Sequence, residues 1–581
     1  MKESRARKTD NILWWKDAGI YQIYTRSFRD SNGDGIGDLR GIIDSLDYLE
    51  DLGVDALWLT PIHPSPDRDF GYDIEDYYSI HPQYGTLEDF DRLIESLHRR
   101  GMRYIMDLVV NHTSDRHRWF RSSETDPQGP YGDYYIWKPG RNGGPPNNWS
   151  SFFGGPAWRY SPLREEYYLH LFSENQADLN WENPEVRAEV YRIMRWWKKR
   201  GVDGFRMDVI NMISKHPDFP DDVRDIVPPA VRGTRYFING PQLHEYLAEM
   251  RLEALEEPYV FSVGECPGAG LEDVRHLSGY ERRELDTVMA MDLMEIDHGP
   301  GGKWDITPWS AAEFAGKLEK WQRGLENQGW ASHFFGNHDQ PRPVSRFGND
   351  SEFRYESATM LAAVLLSLSG TIFIYYGEEI GMPNAAYPEI SSYRDVDTIN
   401  FYEFEKERGI AHEEIMKKIR YMSRDNARSP MQWSGEKPHA GFSTAQPWIP
   451  VSQRYPAIHV EAEEKAEKEQ RPSILGFYKR ALLLRKEHSA LRRGAFRLVE
   501  TSCEECIAFR KTVEGETVLV LSNFSPQELE PKLKSKDGEE AAFFQQKSHL
   551  LLGNYRRENN SADIGKDKIV LRPYEARIYR L

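Results

Sequence analysis

The sequence predicts an α/β fold: a (β/α)₈ TIM barrel with a subdomain inserted after strand 3 and an antiparallel β domain at the C-terminus. Three observations predict it. Short β-branched runs alternate with amphipathic helical patterns through the first 380 residues, eight such runs can be counted, and from about residue 496 alternating strands take over. Strands separated by helices of about 10 to 15 residues form βαβ units and a parallel sheet, and eight of them close into a barrel.

The elements follow in order. "GIYQIY" (19–24) leads to the amphipathic "LRGIIDSLDYLEDLG", "ALWLT" (56–60) to "LEDFDRLIESLHRRG", and "RYIMDLVV" (103–110) ends the first three units. Residues 111–178 break the pattern with Gly, Pro, Asn and aromatics, as in "KPGRNGGPPNNWSSFFGGPAW", and read as an irregular insertion. The helix "NPEVRAEVYRIMRWWKKRG" restores the alternation. The remaining strands are "VDGFRMDV" (202–209), "YVFSVGE" (259–265), "TVMAMDL" (287–293), "SHFFGNHD" (332–339) and "TIFIYYG" (371–377). "EAEEKAEKEQ" (461–470) is a solvated helix start or loop, and "FRLVET", "CIAFRKTV", "TVLVLSNF" and "KIVLRPYEARIYRL" supply the last domain. The expected divisions are barrel 1–108, insertion 109–178, barrel 179–495 and a sandwich-like β domain 496–581.

Composition narrows the function. The 581 residues carry a net charge of -17, from 92 acidic against 75 basic side chains, with no long basic run. That argues against nucleic acid or an anionic membrane as the main partner. Aromatics reach 13% of the chain, with 16 Trp and 31 Tyr, enough to line a sugar-binding cleft as well as a core. "MKESRARKTD" leads into no apolar export segment, no 18-residue apolar run occurs, and three Cys fit a reducing compartment, so a cytoplasmic location is expected. Cys503 and Cys506 form one CxxC without further zinc ligands nearby, and read as a turn between strands.

"DSNGDGIGD" (30–38) resembles the front of an EF-hand. Asp30, Asn32, Asp34 and Asp38 fill loop positions 1, 3, 5 and 9 and Gly35 fills position 6, but position 12 is Gly41 and a strand-like segment precedes the loop. This leaves a fixed metal clip or a plain Asp/Gly turn.

Chemistry in a barrel belongs at the C-terminal strand ends. There the sequence places Asn111 and His112 after strand three, Arg206 and Asp208 on strand four, Glu265 on strand five, and His338 and Asp339 after strand seven. Three carboxylates converging from different strands repel one another unless cations offset them. Arg206, two residues before Asp208, shares its face of the strand. A carboxylate kept anionic opposite a carboxyl of raised pKa suits glycoside cleavage through a covalent intermediate.

At these residues the chain resembles the α-amylase superfamily of retaining glycoside hydrolases. Its four signature regions appear in order as "DLVVNH", "GFRMDV", "VGEC" and "FFGNHDQ", with a fifth, "QADLNW", at 176–181. The likeness continues through "DNARSPMQWS" and "HAGFSTAQPWIPV" almost to the end, and follows the oligo-1,6-glucosidase and α-glucosidase branch. It implies Asp208 as nucleophile, Glu265 as general acid/base and Asp339 as transition-state stabiliser. It further implies that His112, Arg206 and His338 hold the non-reducing glucose. Asp69 and Tyr72 cap it, Arg342 and Arg424 belong to the same subsite, and Phe153, Phe172 and Gln176 complete the wall. A pocket closed at one end implies exo-action.

Val209 matches the residue type the branch associates with α-1,6 preference, although Val is also an ordinary strand residue. Cys266 stands where Met is common, which bears on the leaving-group subsite. The resemblance also implies a structural calcium site in the acidic loop, with Asp30, Asn32, Asp34, Asp38 and the Ile36 carbonyl as ligands and magnesium as the other candidate. No cofactor is needed for the chemistry. The expected partner is a small oligosaccharide, met by a monomer or weak homo-oligomer. Sucrose isomerase, an α-1,4- or sucrose-preferring α-glucosidase and trehalose-6-phosphate hydrolase remain alternatives. A catalytically dead, transporter-associated subunit does not fit a chain that keeps all three carboxylates.

Overall fold

A computed structural model describes residues 13–224, 226, 230–256, 258–534, 548–555, 561–562 and 569–581. The charged stretch 1–10 and the first residue of the predicted strand at 568–581 lie outside the described residues.

Eight parallel strands form one sheet: β1 Gly19–Ile23, β2 Ala56–Leu59, β3 Arg103–Leu108, β4 Gly204–Met207, β5 Phe261–Cys266, β6 Thr287–Ala290, β7 Ser332–His333 and β8 Thr371–Tyr375. Their order is β6-β5-β4-β3-β2-β1-β8-β7, and a parallel bridge between Val288 and Ala331 closes the ring. The registers bring charged residues side by side at one level. Asp107 of β3 is paired with Arg206 of β4, and Val263 of β5 with the same Arg206. The strands are buried along almost their whole length, as a barrel covered by helices requires.

The helices begin where local chemistry supplies caps. Leu87–Arg99 starts with a capping box in which the Thr86 hydroxyl accepts from the Asp89 N–H, and Pro184–Lys199 follows an Asn183 cap with Pro at its first position. The single helix expected over 39–53 is two, Leu39–Ile43 and Leu46–Leu52. The break falls where the Ser45 hydroxyl turns back to the Gly41 carbonyl at 2.8 Å. The acidic stretch from 461 is helical, within Val460–Lys468.

The strands stop earlier than their hydrophobic runs suggest. β4 ends at Met207, β6 at Ala290 and β7 at His333, although "SHFFGNHD" is almost wholly buried to His338. Within this stretch Phe335 is buried against Phe314 of the helix Ala311–Gly324 and Phe347 of the helix Pro343–Phe347.

After β3 the chain pairs His112–Ser114 with Gln176–Asp178 and builds a three-stranded sheet from Trp137–Lys138, Glu166–Leu169 and Trp158–Ser161. Val209, Met212 and Phe237 from the region after β4 pack with Trp149, Trp158 and Leu171 of the insertion in one apolar cluster. The C-terminal region forms a six-stranded antiparallel sheet that includes Cys506–Val513, Glu516–Asn523 and Ala576–Arg580. The CxxC is a turn between strands, closed by the Cys506 N–H on the Cys503 carbonyl at 3.2 Å, and both thiols are free. Among the described residues no helix is long and apolar enough to cross a membrane.

Candidate active site

Arg206, fully buried at the end of β4, organises the barrel mouth. Its Nη1 donates to Asp208 Oδ1 at 2.7 Å and to Asp107 Oδ1 at 2.9 Å, and its Nη2 lies 2.6 Å from Glu265 Oε2. One guanidinium therefore bridges three carboxylates from three adjacent strands. A fourth interaction, the Val209 N–H on Glu265 Oε2 at 3.3 Å, also ties the Asp208 and Glu265 sides together.

Asp107 is held by more than Arg206. Its Oδ2 accepts from Trp58 Nε1 at 3.1 Å and from the Tyr72 hydroxyl at 2.9 Å. That hydroxyl lies 2.6 Å from His338 Nε2, and His338 Nδ1 lies 2.8 Å from the Gln22 amide nitrogen. With Gln22 donating to Nδ1, His338 carries its proton on Nε2 and donates to Tyr72, which donates onward to Asp107. The Tyr72 and His338 rings stack at 5.2 Å, so one face of Tyr72 is already covered.

Asp339 has the opposite surroundings. Its Oδ1 is met by Arg428 at 2.8 Å and Arg424 at 3.2 Å, and its Oδ2 by His338 at 3.2 Å. Arg424 also holds Asp69 at 3.0 Å and Asp395 at 2.6 Å, with Phe153 beneath its guanidinium at 4.9 Å. The Gln176 amide donates to Asp69 Oδ2 at 3.2 Å, and His112 Nε2 reaches the Tyr72 carbonyl at 3.0 Å. Phe172 packs against His112 at 5.2 Å and Phe153 at 5.7 Å.

These surroundings set Asp339 apart from Asp208 and Glu265, which are both raised. Burial lifts Glu265 to about 7, reinforced by Asp208 and Asp339 and opposed by Arg206. Burial also raises Asp208, while Arg206 pulls it back. Burial penalises the charge of Asp339 too, but His338 and the guanidiniums of Arg424, Arg428 and Arg206 outweigh that and hold it well below the usual carboxylate range. Burial keeps His112 neutral at about 4 and His338 at about 3.

The geometry thus brings together Asp69, Tyr72, His112, Phe153, Phe172, Gln176, Arg206, Asp208, Val209, Glu265, His338, Asp339 and Arg424. Arg342 does not join them. Its guanidinium is wholly buried, spent on the carbonyls of Tyr376 and Ala427 and sandwiched by the Tyr375 and Tyr376 rings. Arg428 stands on Asp339 instead. Val209 also departs from the strand reading, since it lies beyond β4 with φ 36° and ψ 41°. A β-branched residue in the left-handed region is strained.

Asp107, Arg428, Asp395 and Gln22 were not singled out from the sequence. Asp107 carried a signal, a carboxylate inside an apolar strand. Gln22 carried a weaker one, a polar residue within the first strand. Arg428 and Asp395 lie far along the chain and are placed only by tertiary packing.

In the acidic loop, Asp30 Oδ1 accepts from the N–H groups of Asn32 and Gly33, and Oδ2 from Gly35 and the Ser443 hydroxyl. Asp38 caps the helix Leu39–Ile43 through the Gly41 N–H and binds Ser31. Among the described residues, no three His, Cys, Asp or Glu side chains stand close enough to hold one metal ion. Any cation here needs the Asn32 amide and the Ile36 carbonyl as donors.

Comparison with known proteins decides the family: the match to "Alpha amylase, catalytic domain" spans residues 22–494. The chain belongs to the alpha-amylase family. Within that family it is 48% identical to an oligo-1,6-glucosidase of Parageobacillus thermoglucosidasius, covering 98% of this chain and 99% of the relative. Among solved structures it resembles Bacillus licheniformis trehalose-6-phosphate hydrolase, with a TM-score of 0.88 at 41% identity over 98% of this chain and 99% of that one. It also resembles the trehalulose synthase of Pseudomonas mesoacidophila, with a TM-score of 0.89 at 38% identity over 98% and 99% of the two chains. This alpha-amylase family member is accordingly a glycoside hydrolase fold carrying a complete set of three mouth carboxylates.

Proposed function

We propose that the protein is an exo-acting retaining α-glucosidase that removes terminal α-1,6-linked glucose from isomaltose and isomalto-oligosaccharides. The observation that carries this reading is the Arg206 bridge. It holds Asp208 and Glu265 close together, as double displacement at a carboxyl separation of about 5 Å requires, yet leaves Glu265 with a pKa near neutrality.

In the first step an Asp208 oxygen attacks the anomeric carbon. The glycosidic C–O bond breaks and the departing oxygen takes the Glu265 proton. In the second step Glu265, now a carboxylate, removes a proton from water, whose oxygen displaces Asp208 and regenerates the starting state. Asp339, anionic at all working pH values, faces the positive charge that develops on the sugar ring. Asp69 and Arg424, linked at 3.0 Å, close the far end of the pocket around the non-reducing hydroxyls and enforce exo-action.

Oligo-1,6-glucosidase activity is carried by relatives at 46–48% identity, which favours the α-1,6 linkage. The test is product analysis on isomaltose, maltose, sucrose and trehalose 6-phosphate. Isomaltose should give two glucose molecules with the highest kcat/KM, the one from the non-reducing end released as the α-anomer. Asp208→Asn should lose at least about 10³-fold in kcat. Absence of glucose from every substrate, or full activity in Asp208→Asn, would overturn the reading. Preferential cleavage of trehalose 6-phosphate, or isomerisation of sucrose, would move the chain to a neighbouring activity.

We further propose that the loop 30–38 binds calcium as a structural clip, and that the enzyme works in the cytoplasm as a monomer or weak homo-oligomer. The oxygen donors that support this reading are Asp30, Asp34, Asp38, the Asn32 amide and the Ile36 carbonyl, at alternate positions of one loop. Three free thiols support a reducing compartment.

A further inference from the structure

A cavity of about 440 Å³ lies between the insertion and the barrel, apart from the catalytic pocket. Its volume falls within the range of small-molecule sites. Its charged lining is Asp133 and Glu182 against Lys138, with Lys215 already paired to Asp178, so it carries no strong charge of either sign. Amides of Asn180 and Gln242 add both donors and acceptors, and Trp181 and Ile213 supply apolar wall. Mixed hydrogen-bonding groups on an aromatic and aliphatic wall suit a neutral polyol.

The cavity is wired to the catalytic pocket. Lys215 Nζ donates to Asp178 Oδ1 at 2.7 Å and Asn111 Oδ1 at 2.8 Å, and the Asn111 amide lies 3.2 Å from His112 Nδ1. His112 in turn reaches the Tyr72 carbonyl at 3.0 Å. The segment 176–181 spans both places: Gln176 faces Asp69 at 3.2 Å, Asp178 holds Lys215, and Asn180 and Trp181 line the cavity.

We propose that this cavity is an accessory site for a neutral saccharide of one or two rings, coupled to the catalytic pocket through Lys215, Asn111 and His112. The proposal rests on reading the catalytic pocket as a glucose site. Isothermal titration of the Asp208→Asn enzyme with isomaltose should show two sites. Adding Gln242→Trp, which fills the cavity, should leave one, and adding Lys138→Ala should weaken the second site at least five-fold. In the active enzyme, the rate against isomaltose concentration should depart from a hyperbola, and Gln242→Trp should restore it. A single site in Asp208→Asn, or two sites untouched by both cavity variants, overturns the accessory site while leaving the glucosidase reading intact. No binding at all overturns both. Hyperbolic kinetics in the unmodified enzyme overturn the coupling.

Discussion

Asp107 is the residue whose chemistry most exceeds its visibility. It never faces substrate in the proposed reaction, but it competes with Asp208 for Arg206 and raises the Asp208 pKa by its own charge. Asp107→Asn should therefore lower the Asp208 pKa. Because Asp208 must be ionised to attack, the acid limb of the kcat/KM profile should shift to lower pH, by on the order of one unit, or ~1.4 kcal/mol. An unmoved acid limb would refute the coupling. At Val209 the strained backbone aims a branched side chain from beside Asp208 toward the apolar cluster of the insertion. Val209→Ala removes bulk beside Asp208 and loosens this cluster, and the α-1,6 to α-1,4 ratio of kcat/KM should fall about ten-fold or more, the scale at which pockets discriminate small apolar groups. Competition assays with isomaltose and maltose measure it. The three carboxylates and most of the pocket were legible because strand-end residues in ordered motifs are local in sequence. Arg342 turns away to the Tyr376 and Ala427 carbonyls while Arg428, at the end of the short helix Asp425–Arg428, meets Asp339, and sequence spacing does not say which guanidinium turns inward.

All eight strands were legible as elements, since each is a short apolar run between turn signals. Their ends were not. β7 keeps only Ser332 and His333, and the residues that carry the site follow outside regular structure, where backbone freedom lets His338 and Asp339 face different partners. Inside the insertion the two short sheets left almost no periodic signal. The loop 30–38 is the element whose reading most needs experiment. It is tied to the rest of the molecule through the Ser443 hydroxyl on Asp30 Oδ2 and the Trp448 N–H on the Gly35 carbonyl, so loosening it should loosen the 442–448 segment too. Chelation with EGTA should lower the melting temperature by several degrees while leaving kcat at low temperature unchanged, and calcium should restore it. Equal melting curves with and without chelator would show that the loop holds by its Asx turns alone. Capping gives a second handle: Thr86→Ala should cost about 1 kcal/mol in chemical unfolding, because the Asp89 N–H loses the Thr86 hydroxyl while the backbone half of the capping box remains.

For the molecule as a whole, buried titratable groups set the pH of greatest stability. Burial holds His63, His112 and His298 at about 4 and His117, His333 and His338 at about 3. The unfolded chain binds protons on these rings below about 6.5 and the folded protein does not, so stability is lost as pH falls from there toward 3. Buried carboxyls whose pKa is raised act in the other direction. Burial raises Asp73 and Glu265 to about 7 and Glu378 to about 8, and raises Asp107 and Asp208 as well. The folded state keeps these protons after the unfolded chain has released them near 4, so their contribution is full below that pH and is lost as pH rises toward 8. The two groups offset each other between about 4.5 and 6.5, and only the carboxyls act above it. Calorimetry should accordingly find a plateau in mildly acidic solution and a fall on the alkaline side. Glu378 dominates that fall, being buried beside Glu379 with the Tyr375 N–H at 3.3 Å as its backbone partner. Gln at this position keeps the acceptor and cannot ionise. Glu378→Gln should match the unmodified protein near pH 4 and exceed it by roughly 3–5 kcal/mol near pH 8, flattening the alkaline limb. Parallel limbs in the two proteins would mean that Glu378 ionises in the folded state as readily as in the unfolded chain, and that the alkaline loss originates at the catalytic mouth.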